Sequence, residues 1–310
     1  MTPRVSICLP VRNGERYVRE SVSSVLAQTL REWELILSDN ASEDGTLAAV
    51  RSFRDARLRI LEQRSDVGLA ANLRACLAEA RGDWVLFLSH DDVLYPSCLE
   101  RLLGAAGERT AFAFGGVDYV DAEGRPAGRF VPDLPERLEG DEFVRRSLGE
   151  ALNPAHWAAC LIRRAALEGA GGVPEGAGLF FDWGLFLRLA RGSQVACVRS
   201  PLAAYRVHPE SATERLAESR HARELILGLR SFAAEGAEWE GLRSKALRTL
   251  ARRHARRAGG RSEGFWREAR SFLTLPDLSW AARLAAVAEF GCARMRAILS
   301  GSRSRKAPSR

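Results

Sequence analysis

The sequence lacks the short motifs that mark several common classes of protein. Its six cysteines form no C-x-x-C pair, which argues against a zinc site. The turn after the first apolar run contains neither G-x-G-x-x-G nor G-x-x-x-x-G-K-[ST], which argues against a dinucleotide oxidoreductase and a P-loop enzyme. No uncharged run reaches the roughly 18 residues that a membrane-spanning helix needs.

The start of the chain shows no pattern of a secretory signal peptide. Arg4 precedes the first apolar run, and that run has only the length of a strand. Most cysteines lie inside apolar runs, as Cys8 does, and buried free thiols are typical of a reducing compartment. We therefore expect a cytoplasmic enzyme without a spanning segment.

Positive charge is in excess and is concentrated in the C-terminal part of the chain. The formal net charge is +7, a balance that suits anionic partners. Basic side chains crowd residues 243–257 and 303–310. A nucleic-acid binder would combine them with interleaved aromatic residues or a recognised motif. Neither is evident, so we expect no nucleic-acid partner.

Short apolar runs alternate with amphipathic stretches through the first hundred residues. This alternation predicts parallel strands joined by crossover helices, a doubly wound α/β sheet. The predicted strands are 5–11, 33–37, 58–61 and 84–88, with helices at about 17–26, 44–53 and 69–80 and a further one opened by Pro96. Later elements are a hairpin in 112–131, strands at 157–162, 195–198 and 202–205, a helix at 181–189, and mainly helix beyond residue 211.

Polar segments follow three of these strands, at 10–14, 39–46 and 89–92. Ligands bind at the carboxyl ends of the strands in such sheets, so the three segments are expected to line one crevice. Asp39 is placed to accept hydrogen bonds from a base or a ribose. Ordinary turn chemistry is the alternative for this segment.

Two adjacent acids, Asp91 and Asp92, follow the fourth predicted strand. Neighbouring carboxylates repel unless a positive charge lies close to them, and a divalent ion that bridges two phosphates would supply it with few protein ligands. In the alternative interpretation Asp92 caps the next helix and Asp91 is solvated. The segment alone leaves both interpretations open.

Five separated segments resemble the motifs of family 2 inverting glycosyltransferases, which have the fold called GT-A. They read PVRNG at 10–14, DNASEDGT at 39–46, VGLAAN at 67–72, FFDWGLFLRLA at 180–190 and YRVHP at 205–209. The resemblance covers roughly residues 4–210. It implies a mostly parallel, doubly wound α/β sheet with flanking helices, followed by a helical C-terminal extension.

The resemblance also implies a donor site and a metal site. Asp39 is expected to contact the nucleotide base, with Pro10 and Arg12 nearby. Asp91 is expected to hold a divalent metal, Mg²⁺ or Mn²⁺, on the diphosphate, with His208 as a second ligand. For His208 a place in a surface turn is the alternative. The remaining expected members of the nucleotide-sugar site are Asn13, Asn72, His90 and Arg206.

Asp182 is expected to be the catalytic base, with capping of its own helix as an alternative role. Displacement at an anomeric carbon needs a base for the acceptor hydroxyl and stabilisation of the departing diphosphate. Trp157 and Trp183 are expected to line the acceptor cleft, although Trp157 could equally be a core residue. Ser89 stands where the family's D-x-D motif has its first acid, which weakens a contact to ribose or metal.

The function that the resemblance implies is inverting, metal-dependent transfer of a hexosyltransferase type. The donor would be a UDP- or dTDP-type sugar and the acceptor a glycan or a lipid-linked molecule, in surface polysaccharide biosynthesis at the cytoplasmic face of the inner membrane. A nucleotidyltransferase is the enzymatic alternative, but it would want a phosphate loop rich in glycine and lysine. A sugar-nucleotide-binding protein with a degenerate site is the non-enzymatic alternative, and Ser89 is its main support.

The expected organisation is a GT-A catalytic domain at 1–210, a helical extension at 211–300 and a disordered basic tail at 301–310. Within the domain, the nucleotide-sugar half would end at about residue 115 and the acceptor half would follow it. The extension contains one apolar helical face. That face would be explained either by contact with an anionic membrane or by packing against other helices. That face comprises Trp280, Leu284, Val287, Ala288, Met295 and Ile298.

Overall fold

The computed structural model describes residues 2–175, 179–215, 228–229, 232 and 236–257, with side chains as far as residue 250. The described strands are β1 (Val5–Val11), β2 (Trp33–Asp39), β3 (Leu58–Glu62), β4 (Trp84–Phe87), β5 (Val93–Leu94), β6 (Thr110–Val120), β7 (Pro126–Phe130), β8 (Arg137–Glu139), β9 (Cys160–Arg163) and β10 (Gln194–Arg206). The described helices are α1 (Val18–Leu26), α2 (Thr46–Arg51), α3 (Leu69–Ala78), α4 (Cys98–Ala105), α5 (Gly140–Glu150), α6 (Arg164–Gly169), α7 (Phe181–Ala190) and α8 (Ala237–Arg257).

All of the described strands belong to one sheet. Its order is β3-β2-β1-β4-β9-β6-β10-β5, with β7 paired to β6 and β8 paired to β10. β1 runs parallel to β2 and β4, and β2 runs parallel to β3. β9 is antiparallel to both of its neighbours, whereas β6 and β10 are parallel to each other. The carboxyl ends of β1, β2 and β4 therefore meet at one edge, where the polar segments follow.

The central strands are buried on both faces. Every residue of β1 and β2 is buried, as expected for parallel strands covered by helices on both faces. β1 is apolar except for Ser6, whereas β2 also buries Glu34, Ser38 and Asp39. Ile7 points into the apolar cluster that includes Val22 of α1, and the next residue, Cys8, points into the cluster that includes Leu73 of α3. Full burial of a side chain such as Leu73 contributes about 1.5–3 kcal/mol.

The expected fold class is confirmed, and three local predictions are corrected. α4 begins at Cys98 rather than at Pro96. The sequence predicts a strand over 157–162, but residues 157–159 form a 3₁₀ turn and only β9 follows it. The two short strands predicted at 195–198 and 202–205 are one strand, β10. Register shifts around Pro201 absorb the break, because a proline has no N–H to give to a ladder.

Within the predicted C-terminal extension the structure describes turns at 212–215 and the long helix α8. Arg145 of α5 forms an ion pair at 2.8 Å with Glu238 of α8. No helix among the described residues is long and apolar enough to cross a membrane. The apolar face predicted between residues 280 and 298 and the basic tail lie outside the described residues. Five buried free cysteines agree with the expectation of unpaired thiols: Cys8, Cys76, Cys98, Cys160 and Cys197.

Candidate active site

The first two polar segments are joined to each other by reciprocal hydrogen bonds. The N–H of Asn13 donates to Oγ of Ser42 at 2.9 Å, and Oδ1 of Asn13 accepts from the N–H of Glu43 at 2.9 Å. Asn13 has a left-handed backbone, with φ of 51°, which asparagine tolerates better than most residues. The backbone and the side chain of Asn13 thus hold the loop together, and a direct contact with a nucleotide stays a prediction.

Two buried acceptors at the end of β2 have no hydrogen-bond partner among the described residues: Oδ1 of Asp39 and Oδ1 of Asn72. Asp39 is 1% exposed, and its other oxygen accepts from the N–H of Ser42 at 3.0 Å. Nδ2 of Asn72 donates to the carbonyl of Ser38 at 2.9 Å. Because leaving a buried acceptor unpaired is unfavourable, the pair suits N–H groups brought by a ligand.

Arg12 is an exposed residue that follows β1. Its guanidinium forms an ion pair with Asp66, which also accepts from Nδ2 of Asn40 at 2.6 Å and from the N–H of Gly68 at 2.9 Å. These N–H groups hold the pKa of Asp66 below its ordinary value, and the Arg12 charge adds to the effect. Arg12 is therefore placed beside the end of β2, as expected.

Asp91 and His208 bring two potential metal ligands into direct contact. Oδ2 of Asp91 lies 3.0 Å from Nε2 of His208, whose side chain is only 4% exposed. The two groups are within hydrogen-bond distance of each other, and a carboxylate oxygen and an imidazole nitrogen are the groups that would hold a divalent ion here. No group of three or more potential ligands occurs among the described residues.

The alternative interpretations of His208 and Asp92 are wrong. His208 is a buried residue and not a surface turn residue; its ring lies 4.8 Å from that of Tyr17. Asp92 does not cap a helix. It is 2% exposed, and its Oδ1 accepts from the N–H of Arg206 at 3.0 Å. Burial raises the pKa of Asp92 well above its ordinary value, and the neighbouring Asp91 charge adds to the rise.

Arg206 holds the Asp91–Asp92 turn in place. It is 3% exposed, and Nε donates to the carbonyl of Asp91 at 3.0 Å. One terminal nitrogen lies 2.5 Å from the carboxylate of Glu20, and the other reaches the carbonyl of Asp121 at 3.3 Å. Each of its guanidinium nitrogens therefore has a protein partner, so Arg206 lies near the expected diphosphate position but is occupied with the turn itself.

His90 and Gly14 pack against each other between the first and third polar segments. A Cβ added at residue 14 would lie 2.6 Å from Cδ2 of the His90 ring, so only glycine fits there without a shift. Burial lowers the pKa of His90; the Asp91 carboxylate opposes that change and His208 adds to it. In place of the D-x-D motif the chain therefore has Ser89, the neutral imidazole of His90 and the carboxylate of Asp91.

A cavity of about 400 Å³ brings Asp182 together with the strand-end segments. Its lining includes Pro10 near the end of β1, Ser89 after β4, and Asp182 in the first turn of α7. Burial raises the pKa of Asp182 to about 6. Backbone N–H groups of the first turn oppose the rise, and so does Asn153, whose Nδ2 donates to Oδ2 of Asp182 at 3.1 Å. A carboxyl group with a pKa near 6 suits a general base that works near neutral pH.

The two tryptophans expected in the acceptor cleft differ in position. Trp157 lines the cavity and stacks on Phe87, with ring centroids 4.5 Å apart, so it is at once a wall of the cavity and part of the core. Trp183 is 2% exposed, and its Nε1 donates to Oγ of Ser147 at 2.8 Å. Trp183 also belongs to the lining of the cavity, but its indole is almost fully buried, and its contact with an acceptor stays a prediction.

The chain matches the model for glycosyl transferase family 2 over residues 6–170. That segment is more than half of its 310 residues. The chain therefore belongs to glycosyl transferase family 2, and the resemblance inferred from its motifs is confirmed.

Several curated relatives carry names from glycan synthesis. The chain is 32% identical over 139 residues to the putative glycosyltransferase EpsE of Bacillus subtilis strain 168, a match that covers 43% of this chain and 50% of that protein. It is 32% identical over 149 residues to the putative teichuronic acid biosynthesis glycosyltransferase TuaG of the same strain, covering 47% and 59%. The O-antigen biosynthesis protein RfbC of Myxococcus xanthus matches over 209 residues at 32% identity, covering 64% and 16%. The chain thus spans about half the length of the first two relatives.

Solved structures share the fold. The S. aureus TarS 1–349 structure in complex with UDP has a TM-score of 0.63 at 18% identity, covering 99% of this chain and 93% of that one. The mannosyltransferase PcManGT from Pyrobaculum calidifontis, in complex with GDP-Man and Mn²⁺, has a TM-score of 0.55 at 19% identity, covering 95% and 88%. At these identities the likeness shows the fold alone, and it confirms the expected GT-A architecture.

Sequence reasoning gave no role to three residues that the structure places in the site. Glu20 neutralises the buried Arg206, Asn153 contacts Asp182, and Tyr205 lines the cavity. Glu20 lies on an amphipathic helix, where a single acid carries no signal. The Asn153–Pro154 pair is a turn signal and was the available hint that a loop here supports the site.

Proposed function

We propose that the chain transfers a sugar from a nucleoside-diphosphate donor, of UDP or dTDP type, to a carbohydrate or lipid-linked acceptor with inversion at the anomeric carbon. The reaction depends on a divalent metal, Mg²⁺ or Mn²⁺, and serves surface polysaccharide biosynthesis. The enzyme works in the cytoplasm, at the inner face of the membrane. The names of its relatives support the pathway.

The observation that carries this proposal is the shared cavity. Pro10 and Ser89 come from strand ends that bear the nucleotide motifs, and Asp182 comes from a helix more than ninety residues farther along the chain. A base placed beside the donor motifs is what a single displacement requires. A buried carboxyl group with a raised pKa beside the donor motifs supports catalysis over binding alone.

On the donor side, Asp39 receives the nucleobase. Its unpaired Oδ1 is a buried acceptor, and the imide N–H of uracil or thymine is a donor of matching kind. The second unpaired acceptor belongs to Asn72 of α3, which is hydrogen-bonded to Ser38 beside Asp39. Two unpaired acceptors support a ligand that brings several donors. The structure of TarS with UDP makes a uridine nucleotide the first donor to test.

In the reaction, the Asp182 carboxylate takes the proton of an acceptor hydroxyl as its oxygen attacks the anomeric carbon. The bond between that carbon and the diphosphate oxygen breaks, and the electron pair leaves with the diphosphate. A divalent cation held by Asp91 and His208 would neutralise charge on that leaving group. Arg206 acts through the Asp91–Asp92 turn that it holds, in place of the direct diphosphate contact that the resemblance implies.

The decisive experiment is the release of nucleoside diphosphate from a panel of UDP-, dTDP- and GDP-sugars, with Mg²⁺, Mn²⁺ or EDTA. We expect metal-dependent release from a UDP- or dTDP-sugar, and a fall of about 10²–10⁴-fold in Asp182→Asn. UDP binding by that variant, measured by calorimetry, should be retained. The anomeric configuration of the product, read by NMR, tests inversion.

Asp133→Asn is the matched control, because its carboxylate is 99% exposed and its exposed ion pair contributes little. It should release diphosphate at the parent rate. Absence of release from every donor, together with absence of metal-dependent UDP binding, would overturn the enzymatic proposal. Release of pyrophosphate from a nucleoside triphosphate and a sugar phosphate would favour a nucleotidyltransferase.

His208→Ala tests the metal site without an assay of turnover. Binding of Mn²⁺ in the presence of UDP, followed by electron paramagnetic resonance, should weaken by more than the roughly 10–100-fold that changes around metal ligands produce. Unchanged Mn²⁺ affinity would remove His208 from the metal site.

A further inference from the structure

The cavity around Asp182 has a wall without positive charge. Among the described residues that line it, Asp182 is the one carboxylate and none is Lys or Arg. The wall instead offers neutral polar groups: Ser89, Asn153, His156, Tyr205 and Thr213. The described part of the wall therefore offers a ligand hydrogen-bonding groups and no positive charge.

His156 is held in a box of aromatic rings. Its ring centroid lies 5.7 Å from Tyr119, 5.8 Å from Phe130 and 5.2 Å from Tyr205. Nε2 lies 3.0 Å from the hydroxyl of Tyr119. Burial lowers the pKa of His156 to about 4, so the imidazole is neutral at neutral pH.

The second nitrogen of this ring is available to a ligand. Nδ1 of His156 has no hydrogen-bond partner among the described residues and is not fully buried. A neutral imidazole carries one proton on its two nitrogens. Nδ1 therefore donates when the Tyr119 hydroxyl donates to Nε2, and accepts when Nε2 donates to Tyr119. A sugar hydroxyl, which both donates and accepts, matches either state.

The same short loop fixes His156 and the proposed base. Oδ1 of Asn153 accepts from the N–H of Ala155 at 3.2 Å, which closes a turn, while Nδ2 of Asn153 donates to Asp182. His156 follows directly after this turn. The loop thus positions the His156 imidazole and the Asp182 carboxylate on the same side of the cavity.

We propose that His156 is an acceptor-binding residue and that the part of the acceptor entering this cavity is an uncharged, hydroxyl-bearing sugar ring. The inference rests on the proposed function and adds the chemical class of the acceptor. A uronate or phosphate at this place would face the Asp182 carboxylate with no cation among the described lining residues to offset the repulsion. A neutral ring avoids that repulsion and uses the neutral groups of the wall.

The test is saturation-transfer NMR on the full chain with UDP and Mg²⁺, using simple glycosides as probes. The neutral probes are methyl glucoside, methyl galactoside, methyl mannoside and methyl N-acetylglucosaminide. The charged probes are methyl glucuronide and glucose 6-phosphate. We expect at least one neutral probe to bind, and to bind more tightly than either charged probe.

Two variants separate hydrogen bonding from packing. His156→Phe keeps an aromatic ring in the box but removes both nitrogens, and should weaken the neutral probe by about tenfold. His156→Gln restores a donor and an acceptor and should recover part of that loss. UDP affinity, measured on the same samples, reports whether each variant is folded.

Three results would overturn the inference: charged probes that bind as tightly as neutral ones, failure of every neutral probe to bind, or equal binding by the parent and His156→Phe. Failure of the proposed function looks different, because the parent chain would then neither bind UDP nor release it from any donor. Normal UDP binding and release with an unaffected His156→Phe would remove only the role of His156.

Discussion

Nδ2 of Asn153 donates a hydrogen bond to Oδ2 of Asp182 at 3.1 Å, at the N-terminal end of α7. Burial raises the pKa of Asp182 to about 6, and the Asn153 amide is among the groups that restrain the rise. The two residues therefore set the lowest pH at which the proposed base is charged.

Asn153→Ala should move the acidic limb of the pH profile upward. Because the lost hydrogen bond favours the carboxylate, its removal raises the pKa of Asp182 above about 6, by about one unit. The base is then protonated over a wider range, so kcat/KM falls more at pH 6 than at pH 8. The measurement is kcat/KM for donor turnover from pH 5 to pH 9.

Asn153→Asp is the companion variant. It keeps an acceptor for the N–H of Ala155 but places a negative charge beside Asp182. That charge should raise the pKa of Asp182 further and move the acidic limb of the pH profile to still higher pH. Loosening of the loop alone would change KM without moving the limb. A limb that stays in place in both variants would contradict the role of Asn153.

Asp182→Asn should stabilise the fold while it removes activity. The folded pKa of about 6 lies above the ordinary value of 3.8, so the native state binds the proton more tightly than the unfolded state. The stabilisation that comes from this tighter proton binding is fully present below pH 3.8 and is lost as the pH rises through about 6. At pH 7.5 the neutral amide should raise the free energy of unfolding by about 2 kcal/mol, measured by urea denaturation.

The gain should shrink as the pH falls, because the parent carboxyl group is then protonated as well. Unfolding at pH 4.5 should show a much smaller difference between the two chains than unfolding at pH 7.5. An equal difference at both values would mean that burial does not perturb Asp182.

Arg206→Lys should weaken the metal site although it conserves charge. A lysine cannot reproduce the fork that reaches the carbonyl of Asp91 and the carboxylate of Glu20 together. We expect a loss of about 2 kcal/mol in stability and a fall of about 10–100-fold in Mn²⁺ affinity. Arg129→Lys is the control, since Arg129 is 64% exposed in its pair with Asp118; it should leave Mn²⁺ binding unchanged. Equal Mn²⁺ affinities in the two variants would refute the positioning role.

Ala41→Gly should stabilise the second polar segment. Ala41 has φ of 55°, a left-handed conformation that is unfavourable for any residue with a Cβ. Glycine should raise the free energy of unfolding by about 1 kcal/mol. Ala48→Gly in α2, where Ala48 is exposed, should lower it by about 1 kcal/mol. Thermal denaturation of both variants decides whether the backbone at residue 41 is strained.

Asp39→Asn should reduce nucleotide affinity. The amide can accept through only one oxygen, and its N–H₂ group would meet the N–H of Ser42 or of the ligand where the carboxylate accepts both. UDP binding by calorimetry should weaken by roughly tenfold or more. Asp133→Asn again serves as the exposed control. Unchanged affinity would place the base elsewhere.

The strands of the first half could be predicted because each is a buried apolar run followed by turn residues. β1 was recovered to the residue, and β2 to β4 within two residues. β10 is predicted as two short strands, because Pro201 interrupts its ladder and no local pattern indicates that the chain resumes the same strand. Predictions failed where tertiary contacts and not local patterns fix the backbone, as they do for Trp157 on Phe87.

The site residues were predictable where a motif ends a strand, and much less so where a role depends on a distant partner. Asp39 ends β2, Asp91 follows β4 and Asp182 lies in the first turn of α7, and the roles that the resemblance gives them stay predictions. The contact between Asp91 and His208 joins residues 117 positions apart, and the link from Arg206 to Glu20 spans 186 positions. The occupation of Arg206 by its neighbours, like the burial of Trp183, follows from packing that no local pattern encodes.

The last two residues of β10 have an evolutionary consequence. Tyr205 and Arg206 are consecutive in an extended strand, so their side chains leave on opposite faces. Tyr205 lines the cavity, and Arg206 supports the turn of Asp91. The cavity wall and the support of the Asp91–Asp92 turn therefore depend on different side chains, and a substitution at one of these positions acts mainly on its own face of the strand. A single-residue insertion at the strand tip would exchange the two faces, so selection should tolerate changes of side chain here and reject changes of length.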